Sequence, residues 1–294
     1  MQKKRFYIPV NIKFFLAASG ATLWVVLSFY LARFWLADLS SNIGVALALI
    51  IISFIAFIPG FLNVNLLISL LLDAPPTLEL DIDYPPVSVL IATYNEADNL
   101  PETFRGIKAQ DYPGKIEVIV ADDGSTDNTV GFLRSLEMKN LKIVQAEHSG
   151  KAHALTAGLK YCVNDILVTI DADTFLHPQA LRRIVARILS DPDNTAAVAG
   201  RIHVKNSRVS FLTKLQEWDY FTAISSVKRQ QSLYQGTMVA QGAFSAFKTQ
   251  AVKKYKGWPT VIGEDIVLTW AFLKDGFRIG FEPTAVGFTV SPTE

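Results

Sequence analysis

VSVLIAT, residues 87–93, is a short run without charge, rich in β-branched and aliphatic residues, and it leads straight into Tyr94-Asn95-Glu96. A run of this length and make-up suits a strand buried on both faces of a sheet. Outward from it the same pattern recurs. Asp98 to Gln110 reads as a helix, with an Asp cap region and Pro101 in its first turn. IEVIVA (116–121) is a second strand, Asp127 to Lys139 a helix, and LKIVQA (141–146) a third strand. Lys151 to Val163 is helical, with Leu155 and Leu159 at helical spacing. DILVTI (165–170), a helix from Pro178 to Leu189, and TAAVAGRI (195–202) complete the series. Alternation of this kind predicts an α/β fold: a doubly wound, Rossmann-like, mainly parallel sheet with helices on both faces.

Upstream the composition changes. Of the 294 residues half are apolar and 19% charged, yet residues 1–74 hold only seven charges. Phe14 to Ala32 is free of charge for 19 residues, and Leu39 to Leu72 for 34. A bilayer crossing takes about 20 apolar residues as a helix. The reading is a membrane region over 1–74 with spans at about 14–35 and 43–62. Pro59-Gly60 is expected to break the second run, so that 63–72 bend, tilt or lie along the interface. A cleaved signal peptide fits less well, because the first run is long and no small-residue cleavage site stands out. Lys3, Lys4, Arg5 and Lys13 place the N-terminus in the cytoplasm. Two crossings then return the body, residues 87–294, to the same side through a Pro-rich linker at 75–86. A single cysteine, Cys162, fits that reducing compartment. Net charge +1 gives no sign of a nucleic-acid partner.

In a doubly wound sheet, ligands bind beyond the carboxyl ends of the strands. Four polar clusters sit there. Asp171-Ala172-Asp173 ends the fourth strand. Two carboxylates at i and i+2 repel unless a cation intervenes, and Mg²⁺ is commonly held by one or two carboxylates with phosphate oxygens. The plainer reading is a solvated turn with Asp173 capping a helix. Asp123 in Asp122-Asp123-Gly124-Ser125 can accept from a base N–H or a ribose hydroxyl, while Asp127 is chiefly a helix cap. Thr93 and Glu96 are candidates for the same pocket, or for local turn bonds. Lys151 opens a helix whose N-terminus would attract a diphosphate, or it is simply solvated. Glu264-Asp265 reads as a catalytic base with a helix-start charge, or as a capping pair. His148, His153, His177 and His203 form no ligand set and read as surface or capping residues. The aromatic stripe Phe211, Leu212, Leu215, Trp218, Phe221 and Ile224 suits either a membrane surface or a core.

Taken in order, A-T-Y-N-E (92–96), D-D-G-S-T-D (122–127), G-K-A-x-A-L-x-A-G (150–158), D-A-D (171–173), G-A-F (242–244) and E-D (264–265) resemble the family 2 glycosyltransferases. Within them the chain is similar to the membrane-embedded processive synthases of poly-N-acetylglucosamine, hyaluronan, chitin and cellulose. V-K-R-Q-Q-S-L-Y (227–234) leans towards the poly-β-1,6-N-acetylglucosamine type. The resemblance covers about 85–294 and implies a GT-A fold and a UDP-sugar donor. It implies that Thr93, Tyr94, Glu96 and Asp123 line the uridine site and that Lys151 approaches the diphosphate. Asp171 and Asp173 would sit at Mg²⁺ or Mn²⁺, Asp173 being the better ligand, and Asp265 would be the general base beside Glu264. The implied partners are the UDP-sugar, a polysaccharide or lipid-linked acceptor, the cell (inner) membrane and an accessory synthase subunit.

Two departures stand out. Gly263 replaces the usual Thr before Glu-Asp. The Q-x-x-R-W motif and further spans expected after 291–294 do not follow, which suggests a truncated chain whose donor pocket forms while processive synthesis fails. Beside polymer synthesis stand two other readings: transfer of one sugar to a lipid carrier, and nucleotide binding without catalysis.

Overall fold

A computed structural model describes residues 10–72, 77–234 and 236–291. The chain divides into two compact units, Met1–Pro75 and Pro76–Glu294. Lys3, Lys4 and Arg5, part of the expected linker, and 292–294 lie outside the described residues.

In the first unit α1 (Val10–Ile43) is one helix of 34 residues, about 51 Å at the usual rise. A second helix runs through α2 (Val45–Ile52), a π-turn at Ser53–Phe57 and α3 (Ile58–Leu71). Both are long and apolar enough to cross a bilayer. The expected break at Pro59-Gly60 does not occur, and 63–71 continue the helix. The reason lies one turn earlier. The N–H of Ile58 bonds the carbonyl of Ser53, a five-residue step that widens the helix directly before Pro59. A widened turn relieves the clash of a proline ring with the carbonyl four residues back. Ala17, Ala21 and Ala48 are fully buried, as small residues are where apolar helices approach closely. Phe15, Leu23, Phe54 and Ile55 point outward.

The second unit begins with β1 (Val87–Thr93), α4 (Leu100–Lys108), β2 (Ile116–Asp122), α5 (Thr129–Ser135) and β3 (Leu141–Gln145). It continues with α6 (Lys151–Leu159), β4 (Ile166–Asp171), β5 (Phe175–Leu176), α7 (Ala180–Ser190) and β6 (Thr195–Val204). Then come α8 (Phe211–Asp219), a π-turn at Tyr220–Ser226, α9 (Val227–Leu233), β7 (Phe244–Lys248), α10 (Thr249–Lys254), α11 (Glu264–Lys274) and β8 (Arg278–Thr289). Among the described residues the strands form one eight-stranded sheet in the order β3-β2-β1-β4-β7-β6-β8-β5.

Parallel pairing joins β3, β2, β1 and β4, and also β6 and β8. β7 runs antiparallel to both its neighbours, and β5 antiparallel to β8. The sheet is therefore mixed beyond β4. The helix α7 carries the chain from β4 to β6 across a gap one strand wide, and β7 fills that gap later from the opposite direction. Its side chains alternate between two cores. Phe244 and Ala246 join one layer with Phe104 of α4 and Ile184 and Val185 of α7. Phe247 joins the other with Leu155 of α6 and Leu268 and Phe272 of α11. Helices thus cover both faces, as the alternation predicts.

α4 and α5 are shorter at both ends than the sequence suggests, α6 starts at Lys151 as expected but ends at Leu159, and α7 is shifted to Ala180–Ser190. α5 stops at Ser135 because Leu136 is extended. On α8 and the following π-turn, Phe211, Leu212, Leu215, Trp218 and Phe221 are exposed, Phe211 at 76% and Trp218 at 67%. They are not core of this unit, which leaves the surface reading of that stripe; the Ile224 side chain lies outside the described residues. Behind the sheet, the buried Arg187 guanidinium donates to Glu282 at 2.8 Å and ties α7 to β8.

Leu155 is 2% exposed and fills the α6 layer. Leu155→Ala is expected to cost about 3 kcal/mol through lost burial and a residual cavity, read as a lower denaturant midpoint of the full chain in detergent.

Candidate active site

Strand polarity assembles the site. In the parallel register Thr93 lies opposite Asp122, and Ala92 opposite Asp171. Three strand ends therefore finish level on one edge of the sheet. The chain beyond each end forms a pocket of about 260 Å³ lined by Ala92, Thr93, Tyr94, Glu96, Asp123, Lys151, Asp171, Ala172 and Asp173.

The turn after β1 is knitted to the loop after β2. Asn95 sits in the left-handed region at φ 55°, a conformation Asn tolerates better than most residues. Its Oδ1 accepts from the N–H of Thr126 at 2.8 Å, and its own N–H donates to Ser125 Oγ at 2.9 Å. Asp127 accepts from the N–H of Thr129 and of Ala97, the capping role expected of it. Glu96 accepts from Asn99 at 2.7 Å.

Asp123 is 3% exposed and is a brace. Its two carboxylate oxygens accept from the N–H groups of Ser149 and Gly150, each at 2.9 Å. His148 Nδ1 lies 2.8 Å from Oδ2. The Tyr94 ring stacks on His148 at 4.2 Å between centroids. The carboxylate offered by the sequence to a nucleoside thus already holds the loop that leads into α6, while still lining the pocket. His148, expected only at the surface or in a cap, contacts two pocket residues, Tyr94 and Asp123, without lining the pocket itself. Thr93, also 3% exposed, has its Oγ1 buried with no hydrogen-bond partner among the described residues. A buried hydroxyl in that state points to a ligand atom that would complete it.

Lys151 opens α6, and its Nζ donates to Asp171 Oδ1. Burial alone would lower the Lys151 pKa, but Asp171, with Glu264 and Asp265, holds it above the usual lysine range. Asp173 Oδ2 accepts from Thr289 Oγ1 at 2.9 Å, which fixes it against the end of β8. Tyr220 stands near this pair: burial, then the charges of Asp173 and Asp171, push its phenol up.

Glu264 and Asp265 do not line the pocket. They start α11 behind Gly263, whose φ of 78° is left-handed and suits glycine. Asp265 Oδ1 accepts from the N–H of Ile266 at 2.8 Å, and Oδ2 from the N–H of Gly242 at 3.1 Å. Gly242 is the seam between the two groups. A Cβ there would lie 3.0 Å from Lys151 Nζ and 3.8 Å from Asp171 Oδ1. One glycine backbone therefore separates Asp265 from the Lys151–Asp171 pair. The sequence does not single out Tyr220 or Gln241; it offers His148 only as a surface or capping residue and Gly242 only within the Gly-Ala-Phe triplet.

Among the described residues, no three His, Cys, Asp or Glu side chains converge to cage a metal. Asp171 and Asp173 offer hard oxygens on one pocket, a donor set that fits Mg²⁺ or Mn²⁺ when a diphosphate completes the shell.

The model of the family described as "Glycosyl transferase family 2" matches residues 88–256. A poly-beta-1,6-N-acetyl-D-glucosamine synthase of Staphylococcus aureus strain MSSA476 is 30% identical over 254 residues, 82% of this chain and 61% of that protein. The protein of the same name from Staphylococcus epidermidis is 32% identical over 209 residues, 70% of this chain and 50% of that one. The chain thus spans about three fifths or less of these relatives. Among solved structures, the mannosyltransferase PcManGT from Pyrobaculum calidifontis, in complex with GDP-Man and Mn²⁺, is similar at TM-score 0.63. It is 25% identical, over 97% of this chain and 70% of that one. S. aureus TarS in complex with UDP-GlcNAc shares the fold at TM-score 0.53 and 21% identity, over 71% of this chain and 59% of that one.

Asp123→Ala removes the acceptor for two amides and is expected to cost about 2 kcal/mol. Faster hydrogen exchange at Ser149 and Gly150 checks it; unchanged protection there would count against the brace.

Proposed function

Because the chain belongs to glycosyl transferase family 2, we propose that it moves a sugar from a UDP-sugar to a growing β-linked polysaccharide with inversion at the anomeric carbon. The sugar of this reading is N-acetylglucosamine, as in the names of the synthases it resembles. The observation that carries it is the seam at Gly242, which joins a carboxylate, Asp265, to the lysine–carboxylate pair of the pocket.

In this reading the nucleoside lies along Thr93, Tyr94, Glu96 and Asp123, where the Thr93 hydroxyl gains its missing partner. The diphosphate meets Lys151 at the start of α6, where ammonium charge and helix-end N–H groups both favour an anion. Asp265 takes the proton of the acceptor hydroxyl as that oxygen attacks the anomeric carbon, and the nucleoside diphosphate leaves from the opposite face. One displacement needs no covalent intermediate, so an α-linked donor yields a β-linked product. Lys151 balances the charge that grows on the leaving diphosphate. Mg²⁺ or Mn²⁺ held by Asp171 and Asp173 would supply further charge neutralisation there.

The two apolar helices anchor the chain in the cell membrane, with the pocket unit on the cytoplasmic side where nucleotide sugars are made. Lys13 and the basic residues before it support that orientation. A glycan acceptor and an accessory synthase subunit are the partners that go with this reading.

A donor panel of UDP-GlcNAc, UDP-glucose and GDP-mannose, scored by nucleotide release and product linkage, tests the substrate. UDP-GlcNAc should be turned over, and turnover of GDP-mannose alone would overturn the assignment. Asp265→Asn should bind UDP normally and lose transfer by about 10²–10⁴-fold; wild-type turnover would refute the base. For the metal pair, Asp173→Ala should remove the gain in UDP affinity that Mn²⁺ gives the parent chain. Chelation with EDTA should do the same to the parent, and equal affinity with and without Mn²⁺ would remove the cation from the mechanism.

A further inference from the structure

Lys228 lies on α9, and only 7% of its surface is exposed. Lysine is almost never buried to this degree without an acidic partner. Here the ammonium donates to the neutral Oε1 of Gln241. An apolar side chain of similar length would suit the packing better. The burial therefore points to a role other than packing.

The partner identifies that role. Gln241 uses its other end to donate from Nε2 to the carbonyl of Gly200 at 2.9 Å, bridging α9 and β6. Its own carbonyl accepts from Ser245 Oγ at 2.7 Å. On either side the backbone is clasped to the start of α11. The N–H of Ala240 donates to Thr269 Oγ1 at 3.0 Å, and that hydroxyl donates to the Asp265 carbonyl at 2.6 Å. The N–H of Gly242 donates to the Asp265 carboxylate at 3.1 Å. The 240–242 strip is thus held by its backbone against Asp265 and by its middle side chain against Lys228.

We propose that Lys228 is a positioning residue for Asp265: by holding Gln241 it sets the Gly242 N–H that fixes the Asp265 carboxylate. The role rests on Asp265 acting as the base. Burial pushes the Lys228 pKa down to about 7, while the Asp265 carboxylate pulls it back up. Among the described residues Lys228 is not one that lines the pocket, so the donor site should not feel its removal.

The test compares Lys228→Met, Gln241→Leu and the double variant in the full chain, in detergent. Lys228→Met should melt at the parent temperature or higher, since a buried charge gives way to an apolar chain. Its UDP affinity and donor KM should match the parent. The Gly242 amide should lose hydrogen-exchange protection, and kcat should fall, each by about tenfold, the scale of one charged hydrogen bond. Gln241→Leu should do the same, and the double variant should lose no more than either single one. Parent kcat in Lys228→Met, unchanged Gly242 protection, or losses that multiply in the double variant would each overturn the proposal. If the parent turns over no sugar nucleotide, the transferase reading is what fails, and Gly242 exchange alone then decides whether Lys228 sets that amide.

Discussion

The pairing of Lys151 with Asp171 is the contact on which the site turns. It joins the first residue of a helix to the last residue of a strand, across the edge where three parallel strands finish level. Parallel register is what makes this possible. Strands running the same way deliver all their carboxyl ends to one side, and the loops that follow must share that space. Carboxylates are costly to crowd together, and four in and beside the pocket are each held by another group. Asp123 is held by two amides, Asp173 by Thr289, Asp171 by Lys151 and Asp265 by Gly242. The result is a pocket whose charges are pre-set before any ligand enters. An anion entering it would meet groups already oriented, the arrangement that electrostatic stabilisation requires.

How much of this could be read from the chain depends on distance along it. β1, β2, β3, β4 and β6 are legible because each is a short apolar run between helices with their own periodicity. The site residues of those strand ends follow directly, since position at a carboxyl end is a local property. β7 and β8 are different. Phe244–Lys248 is five residues long, and Arg278–Thr289 contains Gly280, Pro283 and Gly287, which read as turns. What makes them strands is partners 46 or more residues away. The same holds for the second apolar helix. Pro59 looks like a stop, and only the widened turn before it, a feature of backbone geometry, lets the helix pass.

Roles assigned by residue type were readable in kind but not in detail. Asp123 lines the pocket, yet its oxygens face two amides that no spacing rule connects to it. His148 carries no ligand pattern in sequence, and it earns its place by stacking on Tyr94. Lys228 stands in a segment of mixed charge and aromatic residues, where a lysine normally faces water. Its burial sets it against Gln241 of the 240–242 strip, which is tertiary packing.

The position of β7 also bears on how the chain is made. A ribosome releases β4 and β6 long before residues 244–248, yet these two strands never pair with each other. Until the late strand slots between them, each presents a bare row of amides and carbonyls to its surroundings, the kind of border that invites pairing with strangers. The middle of the sheet therefore stays open until residues 244–248 are made, and β8 joins β6 and β5 later still. Nascent chains halted short of about residue 248 should be the ones that chaperones must shield.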